Sequence, residues 1–124
     1  MSDRDLELAR EFLGALAVAV TTGESEAVYP LLAPDVEWLT PQIKLRSVGE
    51  VRERMEVISP RKHLEVEFGE PELKDLGRGR IVSDVKEVYR MKDTGDFAYA
   101  RERRIELTIR EGVITRYELL FPGS

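Results

Sequence analysis

The stretch Phe97–Phe121, FAYARERRIELTIREGVITRYELLF, constrains the fold more than any other, because alternation sorts its residues onto two faces of different chemistry. Arg110-Glu111-Gly112 predicts a hairpin with a three-residue loop, in which the Gly takes the left-handed conformation that a type I turn with a G1 bulge needs. That loop sets Ile109 opposite Val113, Leu107 opposite Thr115, Ile105 opposite Tyr117, Arg103 opposite Leu119 and Arg101 opposite Phe121 on one face. On the other face it sets Glu106 opposite Arg116 and Arg104 opposite Glu118, opposite-charge pairs that stabilise a solvated sheet surface by about 0.2 to 1 kcal/mol each. A two-residue turn at Glu111-Gly112 would shift the register by one, lose both charge pairs and mix apolar with charged residues on each side. The longer loop is therefore the expectation.

The preceding strand, Gly79 to Met91, reproduces the same sidedness across a Lys92–Asp96 loop. Met91 then faces Phe97, Tyr89 faces Tyr99 and Glu87 faces Arg101, while Lys86 meets Glu102 and Asp84 meets Arg104 on the outside. The inner face reads Ser83, Val85, Glu87, Tyr89 and Met91, then Phe97, Tyr99, Arg101, Arg103, Ile105, Leu107 and Ile109, then Thr115, Tyr117, Leu119 and Phe121. Three charges interrupt it: Glu87, Arg101 and Arg103.

The 124 residues make one domain, 1–124, large enough to bury roughly two thirds of its unfolded surface. A net charge of -5 and a pI near 5.0 argue against nucleic-acid or anionic-membrane partners. No apolar run approaches the ~20 residues of a membrane span, and MSDRDLELAR has neither a signal-peptide core nor an acid-poor transit composition. With no Cys, disulfide and thiol chemistry are excluded, which suits a cytoplasmic protein. One His and no Cys give no metal-ligand set, and no phosphate-cradling loop is present, Gly77-Arg78-Gly79 being a hairpin turn. No cofactor is expected.

Upstream, Leu6, Ala9, Leu13, Leu16, Ala17 and Val20, with Phe12 beside them, predict an amphipathic helix from Asp3 to about Thr21, capped by Ser2 and ended by Gly23. A short second helix is expected from Ser25 through Val28, Leu31 and Leu32 to Pro34, then a strand Asp35–Thr40 closed by Pro41. Ser47-Val48-Gly49-Glu50 has capping-box spacing and opens a third helix through Val51, Met55 and Ile58 to Pro60. His63–Phe68 alternates with Leu64, Val66 and Phe68 inward and His63 outward, and Gly69-Glu70-Pro71 should bend or bulge the strand. The fold class is α+β: a curved antiparallel sheet with three N-terminal helices on one face.

That order, with GESEAVYPLLAPDVEWLTP early and IREGVITRYELLF late, resembles the SnoaL-like and ketosteroid-isomerase-like branch of the nuclear-transport-factor-2-like superfamily. The carrying motifs are a Gly-acid dipeptide after the first helix, an Asp-Val-x-Trp strand and a Gly-x-Ile turn. The resemblance implies a cone with the helices on its concave face, a pocket at the open end, and a homodimer through the outer sheet, near Val82, Val88, Ala98, Ala100, Ile114 and Leu120. The family hosts isomerases, cyclases, dehydratases, epoxide hydrolases and non-catalytic binders, so the site must decide. Its isomerase chemistry does not carry over: Thr40 stands at the general-base Asp, Leu16 at the oxyanion Tyr and Ile105 near the protonated Asp. Arg101-Glu102-Arg103 replaces the Arg-x-Asp of the limonene-epoxide-hydrolase type, and one His cannot supply the pair of the scytalone-dehydratase type.

The chain's own constellation is Glu87 facing Arg101, with Arg103 one inward position further on and Trp38, Tyr89, Tyr99 and Phe121 as ligand-binding neighbours. Two guanidinium groups against one carboxylate leave about one uncompensated positive charge, suited to a small apolar or anionic ligand such as a carboxylate or enolate. If the site is catalytic, Glu87 moves the proton and the arginines stabilise developing negative charge, in an isomerisation, cyclisation or elimination. The alternative is a structural ion pair in a non-catalytic binding or dimerisation module with a closed pocket.

Overall fold

The computed structural model describes residues 3–57 and 64–120. The proposed cap Ser2, Ile58 and Pro60 of the third helix, His63 and the ligand-binding candidate Phe121 lie outside the described residues. The first helix, α1, runs Asp3–Thr22 and buries Ala9, Phe12, Leu13 and Ala19. Gly23 ends it at φ 83°, donating its N–H to the Ala19 carbonyl at 2.9 Å.

The expected second helix is not formed. A single 3-10 turn, Tyr29–Leu31, stands there instead, so the described residues carry two α-helices rather than three. Pro30 lacks the N–H a helix would use, and Pro34 pushes the residue before it to extended backbone. The strand consequently starts early: β1 is Leu32–Leu39, with Leu32 and Ala33 buried and an irregular register between Leu32 and Glu37 that accommodates Pro34. β2, Lys44–Leu45, hairpins back on β1. The Ser47 cap forms as expected and opens α2, Val48–Val57: the Glu50 N–H donates to Ser47 Oγ at 3.1 Å, while Glu50 Oε2 reaches one residue past the cap and accepts from the Arg46 N–H at 3.3 Å.

The remaining strands are β3 Leu64–Phe68, β4 Glu72–Gly77, β5 Arg80–Met91, β6 Phe97–Arg110 and β7 Val113–Leu120. The order is β2-β1-β7-β6-β5-β3, with β4 also on β5, in a curved sheet that does not close. β1 runs parallel to β7, so the sheet is mixed, not wholly antiparallel as expected. β3 and β4 continue each other along β5 across the Gly69-Glu70-Pro71 interruption, where Phe68 opposes Glu87 but Glu72 opposes Asp84, the one-residue offset of a bulge. Phe12, Val28, Val36, Val51, Ile81, Leu107 and Ile114 are fully enclosed between helices and sheet.

The register of β5 on β6 follows the expectation at Tyr89–Tyr99, Glu87–Arg101, Lys86–Glu102 and Asp84–Arg104. Past Tyr89 a bulge intervenes, so Phe97 opposes Arg90 rather than Met91 and is 61% exposed instead of inward. The β6–β7 turn corrects the sequence argument. Arg110 opposes Val113 across the two-residue turn Glu111-Gly112, with φ 53° and 78°, the both-positive pair of a type I′ turn. A bulge between Ile114 and Arg116 then restores the sidedness, so Leu107 opposes Tyr117 and Ile105 opposes Leu119, with Ile114 fully buried rather than on the outer face. The expected Glu106–Arg116 and Arg104–Glu118 pairs do not form. Glu106 opposes Glu118, and the carboxylates are neutralised elsewhere, Glu106 by Arg80 of β5 and Glu118 by Arg116 at 3.4 Å along its own strand. Arg104 instead clasps Asp84 through two hydrogen bonds of 2.9 and 3.3 Å. Among the described residues no helix is long and apolar enough to cross a membrane.

Candidate functional site

Strand alternation places Glu87 and Tyr89 of β5, Tyr99, Arg101 and Arg103 of β6, Tyr117 of β7 and Trp38 of β1 on the helix-covered side. Glu87 is 4% exposed and holds three neighbours. Arg101 Nε donates to its Oε1 at 3.0 Å, and the Tyr89 hydroxyl donates to its Oε2 at 3.1 Å. Arg101 closes the triangle by donating Nη2–H to the Tyr89 oxygen at 2.8 Å. Arg103 Nε lies 2.6 Å from Glu87 Oε1 as an ion pair, but its N–H is not aimed at that oxygen and makes no hydrogen bond. Behind this group Tyr89 stacks on Tyr99 with centroids 4.4 Å apart.

Charge states follow from these contacts. Burial raises the Tyr89 phenol, and the Glu87 carboxylate adds to it against Arg101. Burial alone would lower Arg101, yet Glu87 and Tyr89 together outweigh it and hold the guanidinium above its ordinary value. At neutral pH the site therefore presents a charged Arg101 beside a neutral Tyr89.

A cavity of about 340 Å³ opens in front of the arginines, between the C-terminal end of α1, α2 and the sheet. Arg101 and Arg103 line it, with Tyr89, Trp38, Tyr117, Leu45, Val51 and Met55 among its other walls. Glu87 does not: it stands behind the wall it braces, and Tyr99 stands behind Tyr89. Strand alternation places Tyr117 inward but cannot reach a helix residue such as Arg54. Arg54 of α2 is exposed at the cavity and has no acidic partner within ion-pair distance among the described residues, and Tyr117 meets the cavity beneath a close stack on Trp38, centroids 3.9 Å apart. Helix placement decides the first, whereas strand parity makes the second legible. Among the described lining residues there are three arginines and no Asp or Glu.

The three positions that correspond to the family's isomerase groups, none of which carries the isomerase side chain here, do not meet. Thr40 lines this cavity but spends its Oγ1 accepting the N–H groups of Gln42 and Ile43, whereas Leu16 and Ile105 line a separate cavity against α1.

No family model matches the sequence, and no curated protein matches it. Solved structures of similar shape include an NTF2-like protein from Anabaena variabilis, 16% identical, covering 99% of this chain and 92% of its own, at a TM-score of 0.79. A protein described as a candidate polyketide cyclase from Xanthomonas campestris is 15% identical over 94% of this chain and 88% of its own, at 0.70. TerC, co-crystallised with polyporic acid, is 19% identical over 96% of this chain and 92% of its own, at 0.68. What is shared at these identities is the fold.

Proposed function

We propose that this chain, which has the NTF2-like fold, is a small-molecule-binding protein whose cavity takes a mostly apolar organic anion. One observation carries this: the cavity is lined by three arginines and no acid among the described residues, while the carboxylate contacted by two of those arginines sits behind the wall. Glu87 holds the guanidinium groups in place without occupying the ligand's position, and the surplus positive charge faces the cavity. Trp38, Leu45, Val51 and Met55 supply apolar wall for the rest of the molecule. The structural neighbours described as a candidate polyketide cyclase and co-crystallised with polyporic acid fit this reading.

In the catalytic form of the proposal, Arg101 and Arg103 stabilise an enolate-like charge. Glu87 then receives the ligand's proton only by relay: the proton passes to the Tyr89 oxygen as the Tyr89 hydroxyl proton moves to Glu87 Oε2, along the 3.1 Å hydrogen bond. A non-catalytic binder is the second reading, favoured by the absence of Glu87 from the cavity wall. The proposal extends to self-association through the outer sheet face, which is supported by Ala98 and Ala100 being exposed beside half-buried Val88.

Calorimetric titration with aromatic carboxylates tests the binding claim. Saturable binding that Arg101→Ala and Arg103→Ala each weaken about tenfold or more is expected for a charge-assisted contact. Binding indifferent to both substitutions overturns it. Turnover that Tyr89→Phe abolishes with binding retained would separate the enzyme from the binder.

A further inference from the structure

The geometry points to Tyr117 as a hydrogen-bond donor to the bound molecule, and so to a flat, conjugated anion carrying a second, acceptor oxygen as the occupant of the cavity. The inference rests on the anionic-ligand reading above and adds to it a second polar anchor.

Tyr117 is 5% exposed, yet its hydroxyl makes no hydrogen bond among the described residues. A phenol is seldom buried without a partner, because leaving it unpaired costs about 1 to 3 kcal/mol. Unlike Ser83 Oγ, which is sealed away from solvent, this hydroxyl remains accessible, and the cavity is what the residue lines. The ring cannot swing to find a partner elsewhere. Trp38 stacks on it at 3.9 Å and 19°, and Phe12 meets it edge-on at 5.8 Å and 62°. Burial raises the phenol well above its ordinary range despite the opposing pull of Arg103, so the group keeps its proton and has it to donate to an acceptor oxygen. Arg103 and Tyr117 thus address two different oxygens of one ligand. The aromatic walls, Trp38 and Tyr89 beside Tyr117, favour a planar frame between those oxygens.

The test uses two probes with the same flat three-ring frame, fluorenone carboxylate and fluorene carboxylate, which differ by the ketone oxygen. Wild-type protein should bind the ketone about tenfold more tightly, the worth of one hydrogen bond to an otherwise unpaired donor. Tyr117→Phe keeps the stack, removes one oxygen, and should bind both probes equally while melting like the wild type. Arg101→Ala should weaken both probes and leave their ratio unchanged. A preference that persists in Tyr117→Phe, or no preference in the wild type, overturns the second anchor and leaves the anion site standing. If neither probe binds the wild type, the anion site falls and the anchor with it.

Discussion

Take away the Glu87 carboxylate and two guanidinium groups that now share one counterion are left facing each other. Glu87→Gln should lower stability by about 1 to 3 kcal/mol, read as the urea midpoint, which is less than a fully buried pair would lose because Arg101 is 38% exposed and water screens it. Ser83 offers the opposite case. Its Oγ is buried without a partner, so Ser83→Ala should be neutral or stabilise by up to about 1 kcal/mol in the same measurement. The phenols of Tyr89 and Tyr117 are both raised in the folded state, so the unfolded chain ionises first as pH climbs. Their contribution is fully present below the ordinary tyrosine pKa of about 10 and is lost above it. Alkaline unfolding should therefore begin near that point, with phenolate absorbance from these two rings appearing only as the fold opens. At this scale the sequence was most informative where alternation alone decides: Glu87, Arg101 and Arg103 lie on the covered side because Lys86, Glu102 and Arg104 must lie on the other.

Parity survived in the C-terminal hairpin although the turn was misjudged. The charge pairs favour a three-residue loop because a two-residue turn alone inverts the faces, but one extra residue on β7 undoes the inversion. A bulge leaves little trace in a single sequence, since Thr115 is as ordinary in a regular strand as in a kinked one. Glu111 holds a left-handed φ of 53° that a side chain without a local hydrogen bond disfavours, so Glu111→Asn should raise the melting temperature, by about 0.5 kcal/mol of stability. Gly79→Ala is the severe counterpart at the β4–β5 turn: an added Cβ would fall 2.2 Å from the Ile109 carbonyl oxygen, and the loss should exceed about 2 kcal/mol. The missing second helix has a local cause that was visible in Pro30 and Pro34. The parallel pairing of β1 with β7 had none, because partners some eighty residues apart are chosen by the packing of the whole sheet.

Charge is segregated across the whole molecule: the chain carries -5 overall, yet its cavity is lined by arginines without acids among the described residues. Self-association through the outer face should appear in light scattering as twice the 14.2 kDa chain mass, and Ala100→Glu, opposite Val88 in the sheet, should return it to one. A wild-type mass of one chain at micromolar concentration would contradict that surface. Because Glu87 cancels only part of the charge of its two arginine neighbours, the cavity has a standing appetite for any small anion, and chloride, acetate or phosphate will compete for it. Selectivity must then come from the greasy, ring-lined portion of the chamber, with the guanidinium pair acting as an indiscriminate magnet and the hydrocarbon surface as the filter.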